Sequence, residues 1–319
     1  MKSTKRIVLI GTGAVGASFA FAALNQVICD ELVMIDVNED KVAADANDMQ
    51  DGLANFKSRV KVWHGNYDDC READIVVICA GIAQKPGQTR LDLIQTNLKI
   101  TKTITDAVVA SGFSGIFLVA SNPVDILSYA VWKYSGFPKE KVIGSGTSLD
   151  TARLRYQLSQ RFNISPRAIN ACVFGEHGDS EFVAWSIAKV AGVSLTELGG
   201  ENQVTKEELE ALYESTRDAA YKIIQAKGAT YYGVAMALTR ICKGILSDEQ
   251  ELLMLSTLLE GKFGNEDVFI SVPCILGKTG ITSILTPKLS EEEQLKFNHS
   301  VQVLKDNNPL INMTEIDKV

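Results

Sequence analysis

The chain has 319 residues, 46% of them apolar and 22% charged, with a formal net charge of −7. A chain of that length buries a large core and holds two domains or one large one, which excludes a disordered segment and a disulfide-stapled miniprotein. The acidic balance gives no broad attraction for nucleic acid or anionic membrane, and no apolar run approaches the 18 or so residues of a membrane span.

The basic start, Lys2 to Arg6, is followed only by Ile7, Val8, Leu9 and Ile10 before Gly11 stops the run. That is far short of an export signal, so a cytoplasmic protein is expected. The six cysteines, Cys29, Cys70, Cys79, Cys172, Cys242 and Cys274, show no Cys-x-x-Cys spacing, and they read as buried, reduced thiols. Histidine occurs only at His64, His177 and His299. A metal site built on histidines would have to gather nearly all of them from distant segments, so no metal is expected.

In chain order, Arg6 to Ile10 and Leu32 to Ile35 read as buried strands, and Ile75 to Cys79 and Ile116 to Val119 repeat the type. Helical spacing occupies Ala14 to Val27 and Leu91 to Val109. Strands alternating with helices imply βαβ units and a mostly parallel sheet. The expected fold class is α/β, a Rossmann-type doubly wound parallel sheet over residues 1–145.

After Gly146 the pattern changes, and residues 146–319 read as an α+β substrate domain packed closely on the first. Ser148 to Phe162 is helical, with Pro166 beyond its end. Strand-like pieces follow at Ala171 to Phe174 and Phe182 to Ile187. Thr205 to Lys227 is a long amphipathic helix opened by a Thr205-x-x-Glu208 capping box. A strand around Val268 to Val272 and a helix from Ser290 to about Asp306 complete the chain.

Gly11-Thr12-Gly13-Ala14-Val15-Gly16 follows the first strand and opens an apolar helix. Gly11 permits a tight turn, Gly13 lets backbone approach a pyrophosphate, and Gly16 allows close helix–strand packing. A phosphate there would meet free N–H groups at the positive end of the helix dipole. Asp36 ends the second strand about 20 residues after Gly16, where an acid accepts hydrogen bonds from a ribose diol and repels a 2′-phosphate. NAD is therefore favoured over NADP.

His177 lies in Gly175-Glu176-His177-Gly178-Asp179-Ser180, where the glycines suggest a tight turn presenting an imidazole that titrates near neutrality. Asp150 and Arg153 are three apart at a helix start and can face the same way, while Arg155 points elsewhere. A carboxylate could orient the imidazole, and a guanidinium could grip a substrate carboxylate through two parallel bonds. The bland alternative is a surface ion pair worth at most about 0.5 kcal/mol. A polar loop, Gly81-Ile82-Ala83-Gln84-Lys85-Pro86-Gly87-Gln88-Thr89-Arg90, follows a strand at the expected cofactor crevice. Such a loop could close as a lid and deliver Arg90 to polarise a carbonyl.

With Gln84 to Leu93, Asn122-Pro123-Val124-Asp125, Asp150 to Arg153, Gly175 to Asp179 and Lys227-Gly228-Ala229-Thr230-Tyr231-Tyr232-Gly233, the chain resembles the NAD-dependent L-lactate dehydrogenases of the lactate/malate dehydrogenase family. The resemblance runs from about Lys5 to the last helix. It implies NAD as cofactor, pyruvate and L-lactate as the substrate pair, and a homo-oligomer, in this family a tetramer. It implies that His177 is the proton donor and acceptor, Asp150 its partner, Arg153 the carboxylate clamp and Arg90 the carbonyl-polarising group. Asn122 would contact the substrate oxygen and Thr230 would line the pocket. Beyond Gly11, Gly13, Gly16 and Asp36, the implied cofactor contacts are Val15, Lys41, Tyr67, Gly81, Ile82, Thr103, Ala120, Ser121, Asn122 and Ser145. A cis bond before Pro123 is implied as well.

Gln84 bears on specificity. Relatives acting on malate carry arginine at the matching position, and a neutral amide leaves the second carboxylate of oxaloacetate uncompensated in a closed site. Losing a desolvated charge pair costs about 2–5 kcal/mol, so a malate or other 2-hydroxy acid dehydrogenase on the same scaffold is the runner-up. Bacterial members activated by fructose 1,6-bisphosphate offer an arginine and a histidine at a subunit interface. Arg155 fits the first, but Asn170 stands at the second and is neutral, so strong activation is not expected.

Overall fold

A computed structural model describes residues 4–55, 59–82 and 90–312. The apolar runs become the centre of one sheet. Strands β1 (Arg6–Ile10), β2 (Glu31–Ile35), β3 (Lys61–His64), β4 (Ile75–Ile78), β5 (Ile116–Val119) and β6 (Val142–Gly144) are mutually parallel, in the order β3-β2-β1-β4-β5-β6. Leu9 lies opposite Met34 on one side and Val77 on the other. Strands β1, β2, β4, β5 and β6 lack the alternation of a half-wet sheet because helices cover both faces, so nearly every side chain is buried.

The order reverses between β1 and β4, which opens a crevice at the carboxyl ends of those strands. Helices α1 (Ala14–Gln26) and α2 (Glu39–Gly52) follow β1 and β2. Helices α3 (Arg90–Ala110) and α4 (Val124–Ser135) follow β4 and β5. Gly136, in the left-handed region at φ 65°, ends α4.

The sheet does not stop at residue 145. Helix α5 (Ser148–Phe162) leads into the short strands β7 (Ile169–Asn170), β8 (Val173–Phe174), β9 (Phe182–Val183), β10 (Lys189–Val190) and β11 (Val193–Ser194). Helices α6 (Lys206–Lys227) and α7 (Tyr232–Leu246) then return the chain to β12 (Glu251–Glu260), β13 (Glu266–Gly277) and β14 (Gly280–Ile284). These last three run antiparallel, and Ser256 of β12 pairs with Gly144 of β6, so both halves of the chain share a nine-stranded sheet. Helix α8 (Glu291–Asn307) is opened by a complete capping box between Ser290 and Glu293.

Several elements differ from the sequence expectation. Strand β3 was not expected, because only Val62 of this edge strand is buried and it shows no apolar run. Strand β12 was not expected either: its Leu-rich run is buried almost throughout, and such a run has neither helical nor strand periodicity. The strand expected at Phe182 to Ile187 is only β9, and Trp185–Ile187 forms a single 3-10 turn. At α6, Thr205 Oγ1 accepts from the N–H of Glu208 at 3.2 Å, which is one half of the expected capping box. Among the described residues, no helix is long and apolar enough to cross a membrane.

Two buried clusters hold the fold together. The larger surrounds the main sheet and includes Phe19, Phe117, Tyr129 and Phe269. A second, with Leu154, Leu158, Ile169, Val173, Leu209 and Tyr213, fixes α5 against α6 and the small strands.

Candidate active site

The glycine turn sits at the crevice. Gly11 has φ +96°, and a Cβ there would stand 2.4 Å from the backbone nitrogen of Ala80, so only glycine lets the turn after β1 meet the end of β4. Space opens around Gly13, with nothing within 4 Å of an added Cβ, and Gly13 caps α1 without a side-chain bond. Exposed backbone N–H groups beside open space fit a dinucleotide pyrophosphate.

Asp36 accepts from the N–H of Thr12 at 2.6 Å, from the Thr12 hydroxyl at 3.2 Å and from the N–H of Asn38 at 3.0 Å. Burial alone would raise its pKa, but these bonds and the charge of Lys41 hold it below the usual carboxylate value. The carboxylate thus ties the glycine turn to the end of β2 and keeps acceptor capacity for a ribose. Lys41 Nζ reaches the Thr12 carbonyl at 2.8 Å and Asp45 at 2.5 Å.

Gly81, Ile82, Ala120, Ser121 and Asn122 follow the carboxyl ends of β4 and β5, and Ser145 follows β6. Ser121 Oγ donates to the Ala80 carbonyl at 2.6 Å. The Asn122–Pro123 peptide is cis. Val15 is half-buried on α1, Tyr67 is half-buried in the turn after β3, and Thr103 is exposed on α3 with its hydroxyl bonded to the Lys99 carbonyl.

Asn97, which sequence reasoning did not single out, holds this region together. It is buried on α3, accepts from the N–H of Ile82 at 3.0 Å, and donates to the carbonyls of Ile82 and Asn122 at 3.2 and 2.9 Å. No local pattern marks an asparagine inside a helix as a tie between two loops.

The chemistry-bearing cluster lies where α5 meets the turn after β8. Gly175 has φ +101° and pairs with Ser271 of β13 through both backbone groups, which anchors the turn to the sheet. His177 Nδ1 lies 2.7 Å from Asp150 Oδ2, and Arg153 donates to Asp150 Oδ1 at 2.9 Å. The Asp150 side chain is only 7% exposed, against 28% for His177 and 17% for Arg153. This is therefore a partly dry triad rather than a surface ion pair. Arg155 turns away and donates to the Ala171 carbonyl at 3.0 Å, while Asn170 is exposed on β7.

Burial alone would push the His177 imidazole down. The charge and hydrogen bond of Asp150 outweigh it and, with Glu181 and Asp125, raise the pKa to about 9. Burial would likewise raise Asp150, yet His177 and Arg153 hold it below its ordinary value. The raised pKa favours an imidazolium–carboxylate pair at neutral pH, and the imidazolium can donate one proton from Nε2, leaving a neutral ring beside the carboxylate.

Sequence reasoning missed Glu181. Its carboxylate, His177 and Asp150 bring ligand atoms within 4.8 Å of one another. Burial and the charge of Asp150 raise its pKa to about 9 against the lowering charges of His177, Arg153 and Arg217, which favours the protonated acid at pH 7. Three such groups could hold a metal ion. Here the ring nitrogen is already bonded to Asp150, and Arg153 supplies the positive charge. The sequence signal was available in the spacing, four residues beyond His177 in the same turn.

Thr230 is half-buried between α6 and α7, just after Gly228 ends α6 at φ +86°. Gln84 lies outside the described residues. Arg90 opens α3, and its side chain also lies outside them.

Residues 5–144 match the lactate/malate dehydrogenase NAD binding domain, and residues 147–312 match the lactate/malate dehydrogenase alpha/beta C-terminal domain. The chain belongs to the lactate/malate dehydrogenase family and carries its NAD-binding domain. It is 55% identical over 306 residues to L-lactate dehydrogenase 2 of Peribacillus psychrosaccharolyticus, covering 96% of each chain. It is 52% identical over 302 residues to the L-lactate dehydrogenase of Geobacillus sp. (strain WCH70), covering 94% of this chain and 95% of that one. Among solved structures, the ligands-bound minor L-lactate dehydrogenase of Enterococcus mundtii superposes with a TM-score of 0.95 at 43% identity, over 98% of this chain and 100% of that one.

Proposed function

We propose that the chain is an NAD-dependent L-lactate dehydrogenase that interconverts pyruvate and L-lactate, with residues 1–145 binding the dinucleotide and 146–319 the substrate. The observation that carries the reading is the Asp150–His177 bond of 2.7 Å with Arg153 on the other carboxylate oxygen. Bound NADH supplies the hydride that adds to C2 of the keto acid.

The chain's own groups do the rest. Arg153 binds the substrate carboxylate through its fork. His177, protonated through Asp150, donates its proton to the substrate oxygen as negative charge builds there. Arg90 and Asn122 stabilise the same oxygen more strongly in the transition state than before it, which raises the rate rather than binding alone. Thr230 lines the pocket, and Gln84 on the loop leaves a second substrate carboxylate unpaired. Gly11, Gly13, Val15, Gly16, Asp36, Lys41, Tyr67, Gly81, Ile82, Thr103, Ala120, Ser121, Asn122 and Ser145 serve the cofactor. The family resemblance supports a homotetramer working in the cytoplasm. Arg155 with the neutral Asn170 makes a weak bisphosphate site.

The test is the loss of NADH absorbance with pyruvate, oxaloacetate and 2-ketoisocaproate in parallel. Pyruvate should give the highest kcat/KM. Faster turnover of either competitor would reject the substrate assignment, and NADH binding without turnover would reject the enzyme.

A further inference from the structure

Asp125 ends the Asn122-Pro123-Val124-Asp125 motif, and the reaction as described gives it no part. It is 2% exposed in the first turn of α4, three residues after Asn122. Its Oδ2 accepts the main-chain N–H of His177 at 2.8 Å, across 52 residues of sequence. The hydroxyl of Ser256 on β12 lies near the same carboxylate without a hydrogen-bond partner among the described residues, and Ser256 pairs through its backbone with Gly144. Among the described residues, no group stands in hydrogen-bond geometry to Asp125 Oδ1.

Asp125 therefore ties two parts of the site together, the helix start that carries Asn122 and the turn that carries His177, beside the β6–β12 floor. Two carboxylates grip His177, Asp150 at the ring and Asp125 at the main chain. Holding the N–H requires only an acceptor, which an asparagine would supply without the desolvation cost of a buried charge. A charged acceptor under the imidazolium's own backbone does more, because it favours the protonated ring.

We propose that Asp125 is a positioning residue for the reaction, which sets the reach of His177 through its main chain and reinforces the imidazolium with its charge. The proposal rests on His177 being the proton donor. Asp150, Glu181 and Asp125 are the titratable groups that act on the imidazole, and His177 and Glu176 are those that act on Asp125. Burial, only partly offset by Ser256 and His177, raises the Asp125 pKa to about 6, so it is ionised throughout the neutral and alkaline range in which His177 titrates.

The experiment compares Asp125→Asn and Asp125→Ala in the full-length enzyme, with His177→Asn as control, reading kcat, KM for pyruvate, NADH affinity and the pH profile of kcat/KM. Asp125→Ala leaves the His177 N–H without its acceptor and should lower kcat by roughly tenfold to a hundredfold while NADH affinity holds. Asp125→Asn keeps an acceptor and should restore most of kcat. Removal of the negative charge should still move the alkaline limb toward lower pH by roughly half a unit or more. An unmoved limb in Asp125→Asn overturns the proposal, as does a folded Asp125→Ala with unchanged kcat, or an Asp125→Asn as impaired as the alanine variant. If Asp125→Ala does not fold, the limb and kcat of Asp125→Asn decide alone. An active His177→Asn would instead overturn the assignment of the proton donor, and so is read separately.

Discussion

Replacing Asp150 by asparagine tests the centre of the mechanism. The imidazole of His177 titrates at about 9 rather than 6.5, against the downward push of burial, and Asp150 is the main cause of the rise. The rise from 6.5 to about 9 corresponds to about 3 kcal/mol of preference for the imidazolium. Without the carboxylate, the ring should titrate at or below its ordinary value. Near pH 7.5 only about a tenth of it would then be protonated, instead of nearly all. Loss of charge stabilisation in the transition state adds to this, so kcat/KM for pyruvate should fall by about two orders of magnitude near neutrality.

Steady-state kinetics from mildly acid to alkaline pH separate the two contributions. The alkaline limb should move from about 9 to near or below 6.5, and the rate should recover in part as the medium is acidified. A limb that stays near 9 would refute the assignment of the shift to Asp150. The same pair contributes to stability. Because the folded pKa of His177 lies above its unfolded value, its contribution is full below about 6.5 and is lost as pH rises through about 9. The Tm gap between the native chain and Asp150→Asn should narrow over that range.

Arg153→Lys should raise KM for pyruvate by roughly tenfold or more while KM for NADH holds, since an ammonium cannot make two parallel bonds; an unchanged KM for pyruvate would remove the bidentate role. Gln84→Arg should move relative kcat/KM toward oxaloacetate by some tens-fold or more, and an unmoved ratio would mean that Gln84 does not set specificity. Glu181→Gln should stabilise the fold: the acid is ionised above about 4.5 when unfolded but only above about 9 when folded, so the native chain loses stability across that window. The gain should be larger at pH 7 than near pH 4, and denaturant melts with the same gain at both would contradict the raised pKa of the buried acid. Asn97→Ala strips partners from Ile82 and Asn122 and should cost about 1–3 kcal/mol with weaker NADH binding, measured by thermal melts and fluorescence titration; an unchanged NADH affinity would count against its role in shaping the crevice.

What could be read from the residues alone was whatever short-range physics writes locally. The run Arg6 to Ile10 followed by Gly11, Gly13 and Gly16 declares a strand, a tight turn and a helix, because backbone freedom and apolar pattern act within a few positions. Asp150 and Arg153 share a face because a helix turn brings them together. The convergence of Asp150 on His177, 27 residues apart, was expected only from the motifs, since chemistry shows that the pair is useful and not that the chain path closes it.

Tertiary structure alone decided the rest. Asp125 reaches the backbone of His177 across 52 residues, and Asn97 ties two loops from inside a helix. The Glu181 carboxyl holds its proton more tightly only because the folded chain buries it beside Asp150. The Leu-rich β12 became a strand because β6 and β13 offered it edges on both sides, a partnership that no window of its own residues contains. Burial and distant partners set these properties, and both arise only when the chain has closed on itself.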